Sequence, residues 1–459
     1  MDRTISTLAG FAANFQFSDI RPEAVHAAKR CLIDALGCSI GAFSEEPVAA
    51  LRRLASRVQS EQPATLFGTR TKTSPDLAAL VNGSMIRYSD FSDDYFGTET
   101  SPARGDVGPH PSDNIGGIVA AAESAGVDGR TLLLGIVLGY EICGQFVDTV
   151  VLKSNGWDYP PLHAVSTALA GGRLLGLTES QLAHAVRLAI VPNISLYETR
   201  VGELSQWKGI AGPNGSRNGL FAAQMAAEGI TGPANAFEGS KGFIKQLKTP
   251  FELGPFGGPA RTLRIEDTYF KSLPIRYELQ TPVELALKLH GSFKAAETAA
   301  IKVFIDGRSM FTRDEDPSLW DPRTRETADH SGPYLIGAAL VDGVISHATF
   351  TEQRFRNPEI LSVVDRIEMI PDPDLEALFP WTMACRIELV SFDGGGRVFE
   401  YENPRGHPQN AMTDQEILDK FHSQAGRLSK ERREGVVDWV FSIEKKDDIN
   451  QLFELMLQD

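Results

Sequence analysis

The sequence predicts a multidomain protein of the α and α+β classes, with a smaller α/β domain inserted into a large all-α helical domain. Three observations carry that prediction. From the N-terminus to about residue 245, apolar residues recur at helical spacing. Between roughly 262 and 402, short period-two segments take over, and after Pro404 and Pro408 the helical pattern returns. A chain of 459 residues also exceeds the ~250–300 residues at which single cores stop growing, so two or three folding units are expected.

Taken in order, Pro22 opens a helix that continues through Ala28, Leu32 and Leu36. A proline in the first turn loses no hydrogen bond. Spans 114–125, 131–147, 166–175 and 219–228 read the same way, and several are rich in Ala and Gly. Pairs such as Gly171-Gly172 lower helix propensity, so close packing must hold those helices. In the middle region Ile301, Val303 and Ile305 alternate with Lys302 and Phe304, and 367–370, 385–390 and 398–401 read as further strands. Asp306-Gly307 and the run Gly394-Gly395-Gly396 supply turns, and a helix is expected over 334–341. Thr413 and Glu416 form a capping box ahead of Ile417 and Phe421. The expected boundaries are a helical domain over 1–264, an α/β domain over 265–404 and a helical return over 405–459 packing on the first. There is no internal repeat and no low-complexity linker.

Composition excludes several classes. With 45 Lys+Arg against 60 Asp+Glu the formal charge is −15, which argues against nucleic acid and anionic membrane as partners. No apolar run reaches the ~18–20 residues that span a bilayer, and the first residues lack a secretory pattern. Cys31, Cys38, Cys143 and Cys385 are scattered, without Cys-x-x-Cys spacing. A soluble, reduced, cytoplasmic protein is expected. The phosphate loop, the nucleophile elbow and the zinc helix are all missing from the sequence. Its Asp-rich places lack the Gly and Glu of a calcium loop. No metal or other cofactor is expected.

Polar residues in unusual settings remain. Asp90, Asp93 and Asp94 stand among Tyr88, Phe91 and Tyr95, as an acidic pocket wall or as a solvated helix end. Ser112 or Asp113 is placed to cap the following helix. His110 lies between Pro109 and Pro111; rigid flanks fix an imidazole, which suits acid–base chemistry. Lys208, after Trp207 and before a Gly/Ala-rich helix, reads as an anion-binding cation or as a lysine snorkelling from a helix end. Lys271, Arg276, Glu278 and Gln280 sit at the junction of the two textures, and His330 and Tyr334 open a helix in the inserted domain. Active sites favour domain interfaces and helix N-termini attract anions. A cleft offering Lys, Arg, His and Tyr to a small carboxylate is expected.

At these segments the chain resembles the MmgE/PrpD family of 2-methylcitrate dehydratases, cis-aconitate decarboxylases and iminodisuccinate epimerases. The matching text is Asp90-Phe-Ser-Asp-Asp, His110-Pro-Ser-Asp-Asn-Ile-Gly-Gly and Gly202-Glu-Leu-Ser-Gln-Trp-Lys208-Gly. It continues with Ile230-Thr-Gly-Pro, Phe237-Glu-Gly, Phe270-Lys271-x-x-Pro274 and Ala328-Asp-His-Ser-x-Pro-Tyr334. The resemblance implies a cofactor-free lyase or isomerase with a helical domain, an α/β lid and a homodimeric assembly. It implies Asp90, His110, Lys208, Lys271 and Tyr334 as catalytic residues. Asp94, His163, Arg276, Glu278, Gln280 and His330 are expected to bind substrate. His163 resembles the second active-site His of the decarboxylase branch, whereas Gly156-Trp157-Asp158 looks more like the dehydratase branch. Asp94 stands where the decarboxylases carry Thr; Glu278 stands where many relatives carry His, and Arg276 where those relatives carry an acid. The implied activity is dehydration of a 2-methylcitrate-like hydroxy-polycarboxylate. The alternatives are decarboxylation of a cis-aconitate-like acid, epimerisation of an imino-dicarboxylate, or a carboxylate-binding homologue that has lost activity. In the implied chemistry Lys208, Lys271 and Arg276 hold carboxylates, and His110 or Asp90 takes the α-proton. Tyr334 or a His then protonates the departing hydroxyl. With Lys271 and Tyr334 expected in the lid and His110 and Lys208 in the helical domain, the site would be assembled by closure.

Overall fold

The computed structural model describes residues 2–308 and 312–458. Its opening region is helical because the apolar stripes found in the sequence meet one another. The helices are α1 (Arg3–Asn14), α2 (Pro22–Gly41), α3 (Glu46–Ala55), α4 (Pro75–Arg87), α5 (Ile115–Ala125), α6 (Gly129–Thr149), α7 (Pro160–Leu174), α8 (Glu179–Ile190) and α9 (Ala211–Ala227). A two-stranded ribbon, β1 (Ala64–Thr65) with β2 (Lys72–Thr73), interrupts them. Helices α4, α5, α7 and α9 pack together at the centre, with α6 on α7 and α8 on α9. Small residues make this possible: a Cβ on Gly116 of α5 would lie 2.4 Å from the Gly83 nitrogen of α4. Helix α6 meets the length and hydropathy of a membrane span by composition, although the sequence shows no unbroken apolar run there. In the fold 94% of that window is buried in protein, Glu141 and Asp148 included.

Contacts divide the chain into two units. The first comprises Met1–Tyr197, Gly209–Thr268 and Thr413–Asp459; the second comprises Glu198–Lys208 and Tyr269–Met412. The boundaries fall at 268/269 and 412/413 instead of 264/265 and 404/405, and the segment bearing Lys208 joins the second unit. Nothing in the local sequence marks that change. It rests on tertiary hydrogen bonds: the Leu204 N–H donates to Thr327 Oγ1 at 3.1 Å, and Thr324 Oγ1 donates to the Leu204 carbonyl at 3.4 Å.

The second unit is built on a four-stranded mixed sheet in the order β4-β3-β5-β6. Strand β3 (Thr298–Ile305) runs parallel to β4 (Ile367–Pro371) and antiparallel to β5 (Cys385–Ser391), which pairs with β6 (Gly396–Tyr401). The register sets Ile301 opposite Ile367 and Leu389, and Val303 opposite Met369 and Ile387. Period-two alternation therefore puts one apolar face of the sheet against Val283, Ala286, Leu335 and Ile336. These belong to helices Gln280–Leu289 and Gly332–Asp342. The parallel β3–β4 pair needs a crossover, and the chain between them supplies helices. In the same unit His407 is fully buried: its Nε2 donates to the Pro380 carbonyl at 3.2 Å, while its Nδ1 accepts from the Gln409 N–H at 3.1 Å. The acceptor role of Nδ1 requires the neutral ring, and burial pushes its pKa down to about 4 against the pull of the Pro380 contact.

The chain then returns to the first unit. Thr413 and Glu416 form the expected capping box at the head of helix Asp414–Gln424, which packs on α2. Lys420 on that helix is buried. It reaches Asp34 Oδ1 of α2 at 2.7 Å and donates to the Phe91 carbonyl at 2.6 Å.

Candidate active site

In the first unit the acidic stretch after α4 is buried, not a solvated helix end: Asp90, Asp93 and Asp94 are each at most 2% exposed. Asp90 has φ of +51°, and among the described residues no other non-glycine has positive φ. A left-handed backbone at a carboxylate costs energy, and such strain gathers at functional sites. The Arg87 guanidinium holds that turn in place, 2.9 Å from Asp90 Oδ1. Burial alone would push the Arg87 pKa down, but Asp90, with Tyr159 and Asp113 nearby, holds it well above the ordinary value.

Asp93 is the hub. Its Oδ1 accepts the Ser112 N–H at 3.1 Å, its Oδ2 accepts the Tyr140 hydroxyl at 2.6 Å, and its carbonyl lies 2.6 Å from His110 Nδ1. Burial raises the Asp93 pKa to about 6, against the pull of the Ser112 and Tyr140 hydrogen bonds. Because a carbonyl only accepts, His110 Nδ1 carries a hydrogen and the neutral ring keeps its lone pair on Nε2. The Asp94 carboxylate lies 3.4 Å from the same Nδ1.

The loop leading to His110 is itself anchored. Asp148 of α6 accepts from Tyr95 Oη at 3.2 Å, Ser101 Oγ at 2.6 Å and Arg264 Nε at 2.6 Å. His110 then heads a short 3-10 turn, Pro111–Asn114, that runs into α5. Neither Ser112 nor Asp113 caps α5 with its side chain. Asp113 Oδ2 instead lies 3.6 Å from His163 Nε2. Gly212 is required there, since a Cβ on it would come within 1.9 Å of Asp113 Oδ2.

Helix α7 begins at Pro160, earlier than periodicity suggested, because Pro160 and Pro161 occupy its first turn. His163, Ser166 and Thr167 therefore share one face. Ser166 Oγ and Thr167 Oγ1 both donate to Asn114 Oδ1, at 2.8 and 2.7 Å. The Tyr159 ring meets both histidines edge-on, with centroids 6.0 Å from His110 and 5.4 Å from His163. The first unit thus brings Asp90, Asp94, His110 and His163 into one buried polar cluster. It adds Arg87, Asp113, Tyr140 and Tyr159, which sequence reasoning did not assign to the site. The spacing of Arg87 and Asp90, three apart at a helix end, was the one readable signal.

The second unit holds the remaining expected residues. Lys208 is buried, with Nζ 2.6 Å from Asp329 Oδ1, and the same oxygen lies 2.6 Å from His330 Nδ1. Asp329 was not expected in the site, although it stands beside His330. Lys271 is fully buried. Arg276 and Glu278 pair with each other through two hydrogen bonds, at 3.0 and 2.8 Å. Gln280 spends its amide on the loop before it, accepting from the Leu273 N–H at 3.1 Å and donating to the Leu273 carbonyl at 2.8 Å. That is the work of a loop clamp. Tyr334 lies in the core of the unit, with its hydroxyl donated to the Thr349 carbonyl at 2.6 Å. Burial raises its phenol pKa.

Comparisons with known proteins follow the same outline. Residues 6–255 match the MmgE/PrpD N-terminal domain and residues 274–442 the MmgE/PrpD C-terminal domain. A 2-methylcitrate dehydratase of Cupriavidus necator is 29% identical over 432 residues, covering 87% of this chain and 85% of that protein. The 2-methylcitrate dehydratase of Salmonella typhimurium is 27% identical, covering 94% and 92%. The cis-aconitate decarboxylase of Aspergillus terreus is 24% identical, covering 97% and 94%.

Proposed function

The chain belongs to the MmgE/PrpD family, and from that premise we propose that it is a hydro-lyase dehydrating a 2-methylcitrate-like hydroxy-polycarboxylate without a cofactor. The observation that carries the reading is His110, locked by the Asp93 carbonyl as the Nδ1–H tautomer. A fixed imidazole with a basic Nε2 suits abstraction of a proton next to a carboxylate. In the proposed step the C–H bond breaks and its proton passes to His110 Nε2. The electron pair enters the carboxylate as an aci-form, for which Lys208 and Lys271 supply positive charge. Collapse of that form makes the C=C bond and breaks the C–O bond. The hydroxyl leaves as water after taking a proton from His163, the second imidazole of the cluster. Asp90, on its strained turn beside Arg87, orients the substrate. Tyr334 is left out of the chemistry, since its hydroxyl hydrogen is committed to a core carbonyl. The same reading expects a cytoplasmic homodimer.

The test is a panel of di- and tricarboxylates, including 2-methylcitrate and cis-aconitate, followed for alkene formation, carbon dioxide release and loss of optical activity. Alkene formation that survives chelation supports the proposal. Carbon dioxide release or racemisation without water loss gives the site to the decarboxylase or epimerase reading. Binding without turnover across the panel gives it to an inactive homologue.

A further inference from the structure

Asp94 was expected to touch substrate, but its geometry assigns it elsewhere. Its carboxylate stands 3.4 Å from His110 Nδ1, the nitrogen that already carries a hydrogen for the Asp93 carbonyl. The Asp94 side chain is buried and confined: a Cβ on Gly108 would come within 3.0 Å of Asp94 Oδ1 and 2.4 Å of the Phe96 ring. The two arms of the loop are stitched together by the Tyr95 N–H, which donates to the Pro109 carbonyl at 3.1 Å. We propose that Asp94 is a positioning residue: its charge lies behind the imidazole, fixes the Nδ1–H tautomer and strengthens Nε2 as a base. This rests on the assignment of His110 as the base and deepens it.

The physical reason is short-range electrostatics. A carboxylate within ~4–6 Å favours the protonated ring, typically by 1–3 pH units, and it stabilises the imidazolium that forms when a proton is taken. Other charged and titratable groups face the same ring. Asp93 lies beside it, with Tyr140 of α6 behind Asp93. Tyr159 meets it edge-on from the start of α7. Beyond Tyr159 lie the Asp113–His163 pair and the Arg87–Asp90 pair. All of these are unchanged in a single Asp94 variant, so the difference from wild type isolates Asp94.

The test reads the ring directly in the full-length resting enzyme, by nitrogen NMR of labelled histidine. The His110 signals are identified by their loss in His110→Gln. Wild type should show the Nδ1–H tautomer when neutral. Asp94→Asn should lower the His110 titration midpoint by about one pH unit. Asp94→Thr, also uncharged but differently shaped, should do the same, and Asp94→Glu should restore most of the shift. With the active substrate from the panel, kcat should fall about tenfold with KM little changed, and the acid limb of the rate profile should move with the midpoint. An unchanged midpoint in both uncharged variants, or a raised KM at normal kcat, overturns the proposal and returns Asp94 to substrate binding. A shifted midpoint in a protein that turns over nothing in the panel leaves the Asp94–His110 pairing standing and sinks the hydro-lyase reading instead.

Discussion

Replacing Tyr334 by Phe separates a catalytic tyrosine from a structural one. The ring packs edge-on against Phe355, with centroids 5.5 Å apart, and Phe keeps that contact. Only the hydroxyl goes, together with its 2.6 Å hydrogen bond to the Thr349 carbonyl. Thr349 is 4% exposed, so water does not readily replace the lost donor. A buried acceptor left unsatisfied costs about 1–3 kcal/mol. In a unit on the order of 150 residues, each kcal/mol moves the unfolding midpoint by about 2–4 °C, so a fall of roughly 2–12 °C is expected. Calorimetry should register that fall, at most about 12 °C on these figures, while kcat/KM at a temperature well below it stays within about twofold of wild type. A variant with an unchanged midpoint and kcat/KM reduced ~10²-fold or more, the scale of a lost general acid, would refute the structural reading. Tyr334 would then be the proton donor of the reaction.

The Lys208–Asp329 pair is buried on both sides. Lys208→Met should therefore destabilise by about 3–5 kcal/mol in denaturant titration, and adding Asp329→Asn should recover part of the loss. Lys271→Met should lower kcat/KM by ~10²–10³, as expected for a lost donor to developing charge; normal turnover would remove Lys271 from the mechanism. The pH dependence of stability has two opposed parts. For Asp93, raised from 3.8 to about 6, stabilisation is fully present below pH ~3.8 and lost as pH rises through ~6, about 3 kcal/mol in all. For His407, lowered from 6.5 to about 4, stabilisation is present above pH ~6.5 and lost as pH falls through ~4, again about 3 kcal/mol. Difference curves, wild type minus Asp93→Asn and wild type minus His407→Gln, should slope in opposite directions between pH 4 and 6.5. Parallel curves would contradict both assignments.

Much of this was legible in the sequence, and the failures are of two kinds. Strand β3 follows from the alternation of Ile301, Val303 and Ile305, and the Thr413–Glu416 cap is a local device read from local text. His110 stood out because two prolines bracket it. Part of what sequence reading missed depends on chain segments far apart, and part on short-range pairings that form only once the loop is folded. Asp113 looked like a helix cap but faces His163, fifty residues on. The 198–208 segment belongs with a unit whose other residues begin at Tyr269. Gln280 offered an amide for a ligand, yet the loop seven residues earlier takes it. Arg276 and Glu278 were read as a charge swap toward substrate, and two residues apart they satisfy each other.

The tie from Lys420 to Asp34 and the Phe91 carbonyl bears on how the protein is made. Translation delivers Asp90 and His110 early, then more than three hundred residues pass before the lysine that braces Phe91 leaves the ribosome. Until then the Lys420 ammonium is not there to meet Asp34, and the turn at Asp90 lacks that outer support. Nascent chains stalled short of residue 420 should be cut by protease around residues 88–96, and release of the next thirty to forty residues should close that window. A stalled chain already resistant there would mean that Arg87 alone is enough to set the turn. If the window does close late, the newborn enzyme stays chemically silent until Lys420 has emerged and docked.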